Sequence, residues 1–177
     1  MRTLYIAENP GLTPSHRAAL IRELRGLVPL LNARIASDHV ELVVGAGDAA
    51  EIRNAIEAAV GRIIDVVDVT DEERLGSGDF RKFAERFNAE RFWEAHAELE
   101  PVWRRSRDVA VQALIMASAA FVKLQENAPD KFVFLANESL KLLEGAPARI
   151  GCIDVKTFKK RLAEAVLAKR TFKIECS

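Results

Sequence analysis

Residues 33–69 read ARIASDHVELVVGAGDAAEIRNAIEAAVGRIIDVVDV, and the pattern along them decides the fold of the first part of the chain. Residues 33–36 and 40–44 are two short apolar, β-branched runs joined by Ser37-Asp38, which predicts a hairpin, although the turn lacks the favoured Asn-Gly. Gly45-Ala46-Gly47 follows as a loop, and Asp48 is placed to cap a helix carrying Ile52, Ile56, Ala59 and Val60 at helical spacing. Gly61 ends that helix. Residues 62–69, rich in Ile, Val and Asp, predict a last strand.

Working back to the N-terminus, Leu4 and Ile6 alternate with Thr3, Tyr5 and Ala7 as in a short strand. Asn9-Pro10-Gly11 makes a turn, Thr13-Pro14 opens a helix, and Ala18, Ile21, Leu24 and Val28 carry its stripe until Pro29 stops it. The order over residues 1–70 is therefore β-α-β-β-α-β, the split βαβ or ferredoxin-like arrangement. That fold hosts many functions and implies none. The third strand, His-Val-Glu-Leu-Val-Val, has no aromatic to stack on RNA bases, and the first loop has no CxxC for a metal. A docking or dimerisation domain is the plain reading.

The chain changes character near residue 70. Residues 1–70 have seven Arg and no Lys; residues 71–177 have nine Lys and ten Arg. Residues 71–78 read as a linker, and residues 79–177 as an all-α domain of about five helices, so the fold class is α+β. Asp79 caps a helix with Phe83, Ala84 and Phe87 as its stripe. Asn88 is placed to cap a second, Asp108 a third that is apolar nearly all round, and Asp154 a fifth; Pro129 opens the fourth.

The second of these helices carries the candidate chemistry. His96, Glu100 and Trp103 stand four and seven residues apart and share one face, while Glu94 and Glu98 point away and read as solvated. Pro101 has no N–H for the Ala97 carbonyl, so a kink is expected to open space there for a ligand or water. Phe87-Asn88, Phe92 to His96, Leu99-Glu100-Pro101 and Trp103, followed by Gln112-Ala113-Leu114-Ile115, resemble the domain of unknown function 309 family with its HxxxExx(W/Y) signature, over residues 79–145. The resemblance implies an all-helical domain without an established reaction and a divalent metal as its cofactor, with His96 and Glu100 as ligands. It departs where the family often has Glu after the His (here Ala97) and Gly after the Gln (here Ala113).

The residues themselves leave two readings open. In one, His96, Glu100 and Trp103 are a metal or ligand pocket, with Asn88 and Gln112 supporting it. In the other, His96–Glu100 is a structural core pair in a non-enzymatic interaction protein that forms a homodimer. Two ligands are too few for a zinc, so a third must come from Asp130, Glu138, the first domain or another subunit.

The remaining features bound the answer. The chain has 26 basic and 26 acidic residues, which argues against a protein built mainly to hold nucleic acid. The lysines around 156–161 read as a plain solvated surface. The first residues carry only a very short apolar run, and no stretch reaches membrane length, so a cytoplasmic protein is expected. Cys152 and Cys176 form no CxxC and read as free thiols.

Overall fold

The structure, a computed structural model, describes residues 1–71 and 75–177. The chain falls into two compact units, Met1–Asp71 with Gln125–Asn127, and the other described residues. Part of the expected linker, residues 72–74, lies outside the described residues.

The first unit contains β1 (Thr3–Glu8), a 3-10 turn at Pro14–His16, α1 (Arg17–Arg25), β2 (Leu30–Ile35), β3 (His39–Val44), α2 (Ala49–Ala59) and β4 (Ile63–Asp68). The sheet order is β2-β3-β1-β4 and every neighbouring pair is antiparallel. This is the split βαβ arrangement expected from the alternating patterns. Asp48 caps α2 by accepting from the Ala50 and Glu51 amides. Tyr5 and Ala7 of β1 and Val40, Leu42 and Val44 of β3 form one core cluster with Leu24 of α1 and Ile56 of α2. Each of the Val, Leu and Ile side chains contributes roughly 1.5–3 kcal/mol by leaving water.

Two boundaries differ from the sequence reading. α1 ends at Gly26, short of Val28. β2 starts at Leu30 rather than Ala33, because the Pro29 carbonyl accepts from the Gly45 amide at 2.9 Å and Leu30 takes register with Val44. On the other face of this hairpin the chain buries charge. Arg34 and Glu41 are 3% and 1% exposed, with Arg34 Nε 2.5 Å from Glu41 Oε2. His39, also buried, lies 2.7 Å from an Asp38 carboxylate oxygen through Nδ1 and 3.6 Å from Glu41 Oε1 through Nε2.

The second unit is helical, as expected: α3 (Phe80–Asn88), α4 (Phe92–Ser106), α5 (Val109–Gln125), α6 (Pro129–Leu142) and α7 (Val155–Ala168). Asp79, Asp108 and Asp154 accept from amides of the first turns of α3, α5 and α7. Leu114, Ala117 and Phe121 of α5 are fully buried, so this helix is central. Around it Phe87 lies within 5.0–6.2 Å, ring centre to ring centre, of Phe83, Phe92, Phe121, Phe158 and Phe172. Among the described residues no helix is long and apolar enough to cross a membrane.

The cysteines are not free thiols. β5 (Arg149–Ile150) and β6 (Ile153–Asp154) form a short hairpin. The C-terminal tail returns to it through an Ile153–Cys176 bridge and a Ser177 amide bonded to the Cys152 carbonyl, and Cys152 and Cys176 form a disulfide with their Cα atoms 4.7 Å apart. The pairing is set by a tail that returns across 24 residues, for which the local sequence has no signal. Closing a loop of that length constrains the unfolded chain by about 3 kcal/mol. Reduction, or Cys152→Ser, is therefore expected to lower the melting temperature of the oxidised protein by several degrees, read by Trp fluorescence with and without dithiothreitol; identical melts would show that the bond carries no stability.

Candidate functional site

The spacing of four and seven along α4 places His96, Glu100 and Trp103 on one wall of a groove of about 200 Å³. Gln112, Ile115, Met116 and Ala119 of α5, spaced by three, four and seven, form the facing wall, and Leu135 of α6 closes one side. The floor is apolar and the polar atoms are few, the usual make-up of a small-ligand site, but the volume lies below the usual range of about 300–1,000 Å³.

The polar edge is ordered. His96 Nε2 lies 3.2 Å from Glu100 Oε1, and Arg104 Nε donates to Glu100 Oε2, also at 3.2 Å. The Glu100 carboxylate is thus held between an imidazole and a guanidinium one turn away on either side. The His96 and Glu100 side chains are 34% and 24% exposed, so the pair is a wall of the groove and is not sealed in the core. The Arg107 guanidinium sits 4.6 Å from the centre of the Trp103 ring, a cation–π contact that fixes the indole at one end of the groove.

Asn88, expected to support the pocket, does not line this groove. Its side chain donates to the Ile174 carbonyl at 2.8 Å and accepts from the Ile174 amide at 2.7 Å, so it pins the C-terminal tail like one more strand partner. Nor is it the cap of α4, which Arg91 precedes without a side-chain bond.

Glu94 and Glu98 are buried, at 5% and 1% exposure, rather than solvated. Glu94 pairs with Arg91. Glu98 accepts from the Ser77 amide at 2.9 Å, the Asp79 amide at 3.1 Å and the Ser77 hydroxyl, and pairs with Arg86. The opening expected at Pro101 is filled by the same segment. A Cβ at Gly76 would stand 2.0 Å from the Ala97 carbonyl that Pro101 leaves without an amide, and the Gly78 amide donates to the Glu98 carbonyl at 2.9 Å. Only glycine fits at 76, and the chain itself takes the place of a ligand or water. Ala97, where the resemblance implies a Glu, is buried on this side and does not line the groove.

The donor set does not build a metal centre. Among the described residues no group of three or more His, Cys, Asp or Glu is arranged to hold a metal ion, and Glu138, one expected third ligand, pairs with Lys141 at 2.6 Å. His96 and Glu100 alone fall short of the three protein ligands of a catalytic zinc, so the metal implied by the resemblance does not fit the residues present.

The class these features define is an α+β protein in which a five-helix unit bearing a polar-edged groove follows a split βαβ unit in the chain. Residues 80–135 match the family described as Domain of unknown function (DUF309), and that span runs from the start of α3 to Leu135, so it contains every residue lining the groove. The search of curated proteins and that of solved structures each found no match.

His96, Glu100 and Trp103, which their spacing puts on one face, line the groove with Gln112; Met116, Ala119 and Leu135, which read as core, line it as well. A signal was present in the i, i+3, i+4, i+7 register from Gln112, which puts Ile115, Met116 and Ala119 beside it.

Proposed function

We propose that the helical unit is a ligand-binding module and that the α4–α5 groove is its site. The ligand is small and planar, with an apolar face against Trp103, Met116 and Leu135 and a hydrogen-bonding edge toward His96 and Glu100. The observation that carries this reading is the part-exposed His96–Glu100 pair on the wall of a concave apolar groove. The alternative, an assembly protein with His96–Glu100 as a core pair, calls for a sealed pair, and the exposure of both side chains gives it no support.

The test is ligand-observed NMR with a set of small heteroaromatic fragments. Wild type is expected to bind members of the set, Ala119→Trp to lose them by filling the groove, and Glu100→Gln to weaken those that bond to the polar edge by about 5- to 10-fold, the worth of one hydrogen bond near 1 kcal/mol. Binding that survives Ala119→Trp, or no binding by wild type, would overturn the reading.

A further inference from the structure

The first two turns of α7 carry Lys156, Lys159, Lys160 and Arg161 and no acidic residue in the first turn. Four cations at the positive end of a helix dipole work against the helix. Their acidic neighbours recover little: Lys160–Glu164 spans 4.0 Å and Arg161–Glu175 3.8 Å, both in solvent. Arg161 also donates to the Lys173 carbonyl at 2.8 Å and Lys159 to the Leu143 carbonyl at 3.5 Å, so Lys156 and Lys160 are the cations of this face that the fold uses least. Its placement is also specific. Lys156 stands between two concavities. One, of about 620 Å³, is lined by Lys156, Lys160 and Arg161 with the half-buried Phe172 and with Glu164. The other, of about 370 Å³, is lined by Lys156, Lys159 and the 145–148 loop.

We propose that this face binds single-stranded nucleic acid, with phosphates on Lys156, Lys160 and Arg161 and a base against the solvent side of Phe172, whose ring is held in place by Phe87, Phe121 and Phe158. Cations tracking a backbone beside an aromatic platform are the two components of such sites. A duplex offers no free base to Phe172. Insertion into a lipid surface requires an apolar helix face, and that face of α7 (Val155, Phe158, Leu162, Ala165) is buried in the core; attraction of the lysines alone to anionic headgroups is what the vesicle measurement below separates. The zero net charge argues against a chain built mainly for nucleic acid, while at this face the local cluster sets the field that a polyanion meets.

Fluorescence anisotropy with a labelled fifteen-residue oligo-dT tests it on the full chain. Wild type is expected to bind at low salt, with a log–log salt slope of about −2 for three neutralised phosphates. Lys156→Glu with Lys160→Glu, both exposed, is expected to weaken binding at least ten-fold without lowering the thermal melt, and Phe172→Leu to weaken it without changing the salt slope. No binding by wild type at low salt, or a charge-reversed variant that binds as well as wild type, overturns the proposal. So does binding to vesicles of phosphatidylserine and phosphatidylcholine without binding to the oligonucleotide.

Discussion

Glu98→Ala is expected to destabilise the helical unit by about 3–5 kcal/mol, the cost of breaking a buried, multiply bonded ion pair. The carboxylate is 1% exposed, and its loss strands two backbone amides, one hydroxyl and the Arg86 guanidinium. The segment from Gly76 to Asp79 then loses its main anchor on α4, and the Ala97 carbonyl loses its cover. Glu100→Ala, two residues along the same helix, is expected to cost less than about 1 kcal/mol, because its partners His96 and Arg104 are part exposed and share the charge with solvent. Urea titration followed by tryptophan fluorescence separates the two, since Trp93 and Trp103 are the only tryptophans and both lie in the helical unit. Equal midpoints for the two variants would show that Glu98 is not the anchor described above.

Glu41→Ala is the counterpart in the first unit, with a similar expected loss of about 3–5 kcal/mol. It removes the carboxylate that faces both Arg34 and His39 within the sheet. Arg34→Leu combined with Glu41→Leu is expected to cost less than Glu41→Ala alone, because no cation is then left beside a missing anion. Hydrogen exchange of the β1–β3 amides reads this unit directly, and a double variant as unstable as the single one would contradict the account.

The same network sets a pH window. Burial pulls the His39 imidazole down, but the nearby carboxylates of Glu41 and Asp38 outweigh burial and hold it above its ordinary value. Burial pushes Glu41 up, and the Arg34 charge and hydrogen bond, with the His39 imidazole beside them, outweigh that and hold it below the ordinary carboxylate value. A raised imidazole stabilises the fold fully below its unfolded pKa, and that contribution is lost as pH rises through the folded value. A depressed carboxylate stabilises fully above its unfolded pKa, and that is lost as pH falls through the folded value. Protection in the first unit should therefore peak between the ordinary values of about 4.5 and 6.5 and decline on both sides; His39→Gln should flatten the alkaline side.

What could be read from the sequence was local. Alternation in 40–44 and helical spacing in 52–60 specify their elements without reference to the rest of the chain. The capping aspartates 48, 79 and 154 mark helix starts because an N-cap is a bond between near neighbours. The α4 stripe was legible for the same reason, since four and seven residues along a helix return to one face. Hidden were the features that join distant segments. Ser77 reaches Glu98 across 21 residues, Asn88 reaches Ile174 across 86, and Cys152 reaches Cys176 across 24. Each reversed or displaced a local reading: a surface glutamate became an anchor, a helix cap became a strand partner and two thiols became a bond. Arg34 and Glu41 belong with them, because a charged residue in an alternating strand reads as the solvent side.

The seating of Gly76, Ser77 and Gly78 on α4 also determines where the helical unit can be cut. Asp79, the first cap, looks like the natural start of a truncated chain, yet a cut there discards the Ser77 donors and the glycine that covers the Ala97 carbonyl, leaving Glu98 with a buried charge and fewer bonds. A cut before Gly76 keeps them. Of two such fragments differing by three residues, only the longer carries the complete surroundings of Glu98, and the shorter should behave much like the Glu98 variant itself.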